Sequence, residues 1–534
     1  MSTLRSLCLI GAISVGGLTA CTGNKEPPSA VGAIPDGTRP TVPPTRPAPE
    51  PTRPPVTTDP EPGAPAEQPA SVQYSREWFV SPSGNDTAPG TQDKPLRTIS
   101  KAITQAGPGE IIRVQKGTYA EKLVFDSTVR AGTTKAPITL RGEGTPKLVP
   151  TGDGWYMALV QRPNWRIEGF EFDVRGQRQL AVTFAGDTQG TVLADNELHS
   201  GTFGSGISTD GGARGVTIEN NHIHHFAQGS DDSHGIVIAP TSRDITVRGN
   251  DIHDNSGDSV QCLGPEGFSN DTPANGLVVE NNRMYDNREN AVDLKTCHNV
   301  TVRGNVMHGF ARTATARGEA VVVHYSAKNI AIEDNDISDA TLGVSVGGNR
   351  VGAPPTNVSV RRNRIHDLKS PEGAAIRIEN GNDVRVLHNT VTGVSGFALV
   401  VGHGTGGASS NVVVRNNLFN ARHAVNLGPE APGLTMESNG YQAGANFTFG
   451  DFFAPANDWK GTPLATWKQE RSLDVNSSES ATTLTDSKSF TPGVGAVDQG
   501  MDLGLPFCGA APDIGAVESG CPENTQAATA SLTE

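Results

Sequence analysis

The chain has 534 residues, a formal net charge of −14, 5% aromatic residues, 62 glycines and 37 prolines. Such a composition supplies many turns and a core of small branched side chains, not a helical bundle, and its length sets no domain count because repeat folds grow unit by unit. The negative charge argues against a nucleic-acid backbone as partner, whereas an anionic sugar polymer stays open because local cations or a bound metal can reverse the field inside one groove.

Residues 1–20 are basic at Arg5, apolar from Leu7 to Leu18, and lead into Leu18-Thr19-Ala20-Cys21. This looks like a bacterial lipobox, with an ordinary signal peptide as the other reading. Cleavage before Cys21 would leave a lipidated N-terminus and no transmembrane helix, since no later segment reaches the ~18 apolar residues needed. The expectation is an exported protein, lipid-anchored in the bacterial cell envelope at the outer membrane or cell surface. Residues 21–72 then form a Pro-rich linker, as in Thr41-Val-Pro-Pro-Thr-Arg-Pro-Ala-Pro-Glu-Pro51, which cannot bury a core and reads as a disordered, extended stalk.

From Trp78 the pattern changes. Leu96, Ile99, Ala102, Ile103 and Ala106 recur at helical spacing and are followed by the strand-like Glu110-Ile-Ile-Arg-Val, so residues 73–150 are expected to form a cap and first coils that cover an open sheet edge. Across residues 151–450, Asn followed by a residue, an aliphatic and often His recurs from Asn196, Asn221 and Asn250 through Asn282, Asn305, Asn335, Asn363, Asn389 and Asn417, with a weaker copy at Asn439. A period near 27 residues, with short β-branched runs, means one coil per repeat. Coils about 4.8 Å apart would place each Asn over the last, as a ladder of amides at a tight turn. Residues 451–534 are expected to hold the last coils and a tail.

These repeats resemble the right-handed parallel β-helix proteins over Trp78 to Glu518, and the ending Pro512-Asp-Ile-Gly-Ala-Val-Glu518 is similar to the close of many exported members. The fold class expected is therefore all-β: a single right-handed parallel β-helix with an N-terminal helical cap, preceded by the stalk. Of the cysteines beyond Cys21, Cys508 and Cys521 could staple a terminal segment. Cys262 faces the core, so a buried free thiol and a bridge to Cys297 both stay open.

Aligning one strand per coil from Gly206-Ile-Ser-Thr-Asp210 to Ala375-Ile-Arg-Ile-Glu379 puts apolar second and fourth positions in the core. Third positions form one column expected to face solvent, namely Ser208, Val237, Gln261, Asp293, Val322, Ser345 and Arg377. Fifth positions place Lys295 below His324, and the corner before the strand holds His234, Asp258, Asn290 and Glu319. Chemistry-bearing side chains cluster on the middle coils. A strand needs no exposed acid and base side by side for folding, so Asp293 and Lys295, with Glu289 at the corner, mark a candidate site.

The segment Glu289-x-x-x-Asp293-x-Lys295, followed by Asn299-Val-Thr-Val and lying one coil after Gly257-Asp-Ser-Val-Gln, is similar to the pectate lyase group of polysaccharide lyases. That resemblance implies Ca²⁺ held by Asp258, Glu289 and Asp293, and a Lys or Arg as the base that removes C5–H of a uronate, Lys295 first and Arg317 second. Gln261, His234, His324, Glu319 and Arg377 become candidate substrate contacts. Ser345 stands where the group carries a further basic residue. The function expected is a calcium-dependent lyase acting as a monomer on an acidic polysaccharide; a glycoside hydrolase on the same fold, or a non-catalytic carbohydrate-binding β-helix, are the other readings.

Overall fold

The computed structural model describes residues 73–521 apart from 153, 265–271, 315, 349–351, 403–406, 430, 451–460 and 481–482. The leader, Cys21 and the stalk lie outside the described residues, as does most of the segment from Gly264 to Asn275. Among the described residues, no helix is long and apolar enough to cross a membrane.

Three parallel sheets of 14, 14 and 13 strands are built between Arg76 and Ser480, and each coil contributes one short strand to each sheet in turn. One coil, for example, gives Val192–Ala194 to the first sheet, Glu197–His199 to the second and Ser205–Asp210 to the third. The arrangement is the right-handed parallel β-helix expected from the repeats. Inward positions such as Leu193, Leu198 and Ile207 are fully buried, so the alternation of side chains sets one apolar column per sheet.

The tight turn between the first and second sheets has two residues. In each of ten coils its first residue adopts a left-handed conformation, from Asp195 (φ 55°) through Asn281 (φ 55°) to Ser438 (φ 54°), and its second is the ladder asparagine. Each amide bridges three rungs. Asn305 donates from Nδ2 to Val279 O at 2.9 Å and to Asn335 Oδ1 at 3.0 Å, while its own Oδ1 accepts from Asn282 N at 2.9 Å and Nδ2 at 3.0 Å. The ladder therefore satisfies backbone groups that the turn takes out of the sheets. Asn305→Ala is expected to cost about 2–3 kcal/mol, because several fully buried partners lose their bonds at once. Urea unfolding that shifts by less than about 1 kcal/mol would show the amide to be dispensable.

The stack is closed at both ends. Helix α1 (Ile99–Gln105) buries Ile99, Ala102 and Ile103, is capped by Thr98, and has the Glu121 carboxylate on the amides of Ile99 and Ser100, both at 2.9 Å, where the helix dipole favours an anion. At the far end Asp474 terminates the ladder by accepting from Asn439, Tyr441 and Trp467 of helix α2 (Leu464–Arg471). Beyond Ser480 the chain adds no further rung among the described residues. It folds back instead, with Ile514 packed on Leu418 and Ala516 N donating to Thr390 Oγ1 at 2.9 Å. Both cysteine pairs that the sequence left open are bridged, Cys262 to Cys297 and Cys508 to Cys521.

Candidate active site

On the third sheet, strands Val260–Cys262, Val292–Lys295 and Glu319–His324 pair in register, so Asp293 lies between Gln261 and Val322, and Lys295 lies beside His324. The column from Ser208 to Arg377 runs as the coil alignment places it. Val260, Val292 and Leu294 point into the core at 0% exposure.

From Gln261 to Arg377 that column does not stand in solvent, contrary to the reading of the sequence. Asp293 is 4% exposed and Lys295 7%, and His234, Gln261, Glu319 and Arg377 are buried as well. With rungs only about 4.8 Å apart, side chains above and below shade one another. Gly264, at the end of the preceding coil's rung, packs closely against this one, where an added Cβ would meet Lys295 O at 2.6 Å and Thr296 Oγ1 at 1.7 Å. The Cys262–Cys297 bridge ties this rung to the next, one residue from Gln261 and two from Lys295. Gln261, His234, Glu319 and Arg377 are thus buried to much the same degree as Lys295; Arg317 and His324 keep 47% and 29% of their side chains exposed.

Asp258 is fully buried at the corner. Its Oδ1 accepts from Asn290 N at 3.0 Å and Nδ2 at 2.8 Å, and its Oδ2 accepts from Gln261 Nε2 at 3.0 Å. His234 Nδ1 lies 2.9 Å from the Asp258 amide and 3.1 Å from Oδ2, and one ring nitrogen can serve only one of them. With Oδ2 already supplied by Gln261, we assign it to the amide. Gly257 makes this approach possible, since a Cβ there would meet His234 Nδ1 at 2.4 Å. Burial by itself would raise the Asp258 carboxyl, but its close contact with the His234 ring, the charge of Lys295 and the bonds from Asn290 more than offset it and hold it below the ordinary range.

The two other acids behave oppositely. Burial, then the charges of Asp258, Asp232 and Asp293, push Glu289 up to about 9. Burial, only partly offset by Lys295 and His234, pushes Asp293 up to about 7. Asp293 Oδ2 lies 3.5 Å from Lys295 Nζ, and its Oδ1 lies 3.8 Å from His324 Nε2. Burial, with Lys295 and Arg317 adding repulsion, holds His324 low, to about 3, so this ring is neutral at physiological pH. Asp232, which the sequence reading passed over despite the pair Asp231-Asp232, joins the acidic side and is held by Arg288 Nη2 at 2.5 Å.

This donor set fits a hard divalent cation. Asp258 and Glu289, together with His234, place ligand atoms within 4.8 Å of one another. The buried Asp293 Oδ1 and Asn290 Oδ1 make no hydrogen bond among the described residues, and the upward push on Glu289 and Asp293 is what an uncompensated cluster of carboxylates produces. Asp293 is not part of the close group, because it turns toward Lys295. Arg317 is not brought to the cluster: its Nη1 pairs at 3.1 Å with Glu379, two coils on, and the same carboxylate pairs with Arg377.

The stacked coils and their register define the class of this protein as a right-handed parallel β-helix. Overlapping matches over residues 172–346, 266–419 and 313–449 to the family described as right handed beta helix region cover more than half of the chain, which belongs to that family. Residues 82–256 also match a family described as a protein of unknown function. The chain is 23% identical over 386 residues to the uncharacterized protein YwoF of Bacillus subtilis (strain 168), covering 63% of this chain and 79% of that one. It is 25% identical over 224 residues to pectate lyase PEL9 of Emericella nidulans, covering 40% of this chain and 48% of that one, so it spans about half of the lyase's length. Among solved structures, the PL6 family alginate lyase AlyGC superposes with a TM-score of 0.52 at 15% identity, over 78% of this chain and 57% of that one.

Proposed function

We propose that the protein is a calcium-dependent polysaccharide lyase that cleaves a uronate-containing polymer by β-elimination. The observation that carries this reading is Lys295 Nζ at 3.5 Å from Asp293 within a buried carboxylate cluster. The similarity to a pectate lyase supports it. Asp258 and Glu289 would hold the ion, and Asp293 would join them by turning from its present place beside Lys295 and His324. Bound there, calcium would neutralise the uronate carboxylate and so acidify C5–H. Lys295 Nζ, in its neutral form after giving up a proton, takes the C5 proton, the electron pair forms the C4–C5 double bond, the C4–O4 bond breaks, and O4 leaves with a proton. His324, neutral and beside Lys295, is positioned to contact the sugar or relay that proton.

The burial of Asp258 disfavours the glycosidase reading, since a carboxylate at 0% exposure with both oxygens hydrogen-bonded cannot flank a sugar. The test is a panel of polyuronates with and without chelator, read by the ultraviolet absorbance of the unsaturated product. Metal-dependent absorbance on one of them is the expected result. Cleavage that yields reducing ends and no absorbance would establish a hydrolase, and binding with no cleavage a carbohydrate-binding protein.

The lipobox motivates a second expectation, that the protein is lipid-anchored at Cys21 and held off the membrane by the stalk. Cys21→Ser should move it from the membrane fraction to the soluble fraction with its thermal unfolding unchanged, because the first strand begins at Arg76. A variant still membrane-bound after a salt wash would end this reading.

A further inference from the structure

The Asn-x-aliphatic-His pattern leaves a second cluster that the lyase reading does not use. On the outward face of the second sheet, His199, His224, His253, Tyr285 and His308 follow one another rung by rung, with His199, His224 and His253 stacked at 5.2 Å spacings. The adjoining outward column runs Glu197, His222, Asp251. Stacking of flat rings accounts for the first column but not for what the two columns do together. Glu197, His222 and His224 each present one ligand atom, all within 4.8 Å of one another. Glu197 Oε1 lies 3.3 Å from His224 Nε2, and His222 Nε2 lies 2.7 Å from His253 Nε2.

From these contacts we infer that Glu197, His222 and His224 form a site for a borderline-soft divalent cation of the zinc class, with the His253 ring beside it. A tetrahedral ion with ligands at ~2.0–2.1 Å spaces them about 3.3 Å apart, which matches the Glu197–His224 separation. The chemistry differs from that of the lyase centre: imidazole nitrogens with one carboxylate select zinc-like ions over calcium, which takes oxygen. The rings are already oriented from behind, as ligating imidazoles require, with His253 Nδ1 on Asp254 Oδ2 at 2.7 Å and His224 Nδ1 on His225 Nδ1 at 2.6 Å. The nearby trio Glu171, Asp173 and His199 is a poorer candidate because Lys147 already sits on Glu171 at 2.6 Å and on Asp173 at 3.4 Å. Among the described residues no lysine or arginine makes an ion pair with Glu197. Such an ion would pin two successive rungs together on the face away from the third sheet.

The test uses the untagged full chain, titrated with Co²⁺ and then Zn²⁺ in excess Ca²⁺, so that the lyase centre is occupied or indifferent. One Co²⁺ per chain should bind with the intense visible absorption of a tetrahedral site, and Zn²⁺ should bleach it and raise the unfolding temperature. Glu197→Gln should weaken binding about tenfold or more, and His222→Ala with His224→Ala about a hundredfold or more. Circular dichroism checks that each variant is folded, and Glu197→Gln, which deletes only one partly exposed charge, keeps the test valid if the double variant is not. Absence of stoichiometric Co²⁺ binding by the wild type, or unchanged affinity in a folded Glu197→Gln variant, would overturn the inference. Neither result bears on the lyase reading.

Discussion

Lys295→Met lowers kcat on the cleaved polyuronate by about 10²-fold or more, the usual scale for a positioned proton acceptor. KM changes little if the ion and neighbouring groups still hold the sugar. Because Lys295 is buried and 3.5 Å from Asp293, the substitution also costs stability, up to about 3 kcal/mol, by leaving a buried carboxylate without its partner. The cost is smaller where Asp293 takes up a proton instead, as its pKa near 7 allows. A purely structural ion pair would show the stability loss with turnover within a few-fold of wild type. In Lys295→Ala, which vacates the space, recovery of turnover by an added small amine with no recovery of melting temperature separates the chemical role from the structural one. Failure of both kinetic signs removes Lys295 from the mechanism and leaves Arg317, although its pairing with Glu379 places it away from the carboxylates.

The second large effect couples calcium to pH. Glu289 at about 9 and Asp293 at about 7 lie above their ordinary values of 4.5 and 3.8. Between those limits the folded protein holds protons that the unfolded chain has released. The contribution of these two groups to stability without metal is therefore fully present below about pH 4 and is lost as pH rises toward 9. Calcium needs the same carboxylates deprotonated, so its affinity rises over that range. Melting temperatures with calcium and with chelator should coincide near pH 4 and separate progressively toward pH 9. Glu289→Gln removes a buried charge while keeping the shape. It should raise stability in chelator at pH 9 by about 2 kcal/mol, against about 1.4 kcal/mol for each pKa unit retained, and flatten the pH dependence. Asp293→Asn should weaken calcium uptake in calorimetry run with substrate present. If the calcium and chelator curves superimpose at pH 9 with substrate present, no calcium site exists here.

The solenoid was legible because its determinants are periodic and local. Ten asparagines near a 27-residue spacing fixed the coil length, and apolar residues at alternating positions fixed which side chains face inward, so the rung-by-rung register from Ser208 to Arg377 followed from the sequence. The same register placed Asp293 beside Gln261 and Lys295 beside His324. What the sequence could not supply was depth. Alternation distinguishes core from the opposite face but says nothing of how far stacked neighbours shade that face, so Asp293 and Lys295 read as exposed and are buried. Partners reached through side chains of variable direction were equally hidden: Arg317 turns to Glu379, and His234, not Asp293, joins Asp258 and Glu289. Repeat spacing and alternation by themselves determined the fold and the column in which the site lies, because these are properties of neighbouring residues along one chain. The tertiary structure alone decided the disulfides, the burial and the perturbed carboxyls, because each depends on where distant coils stack in space.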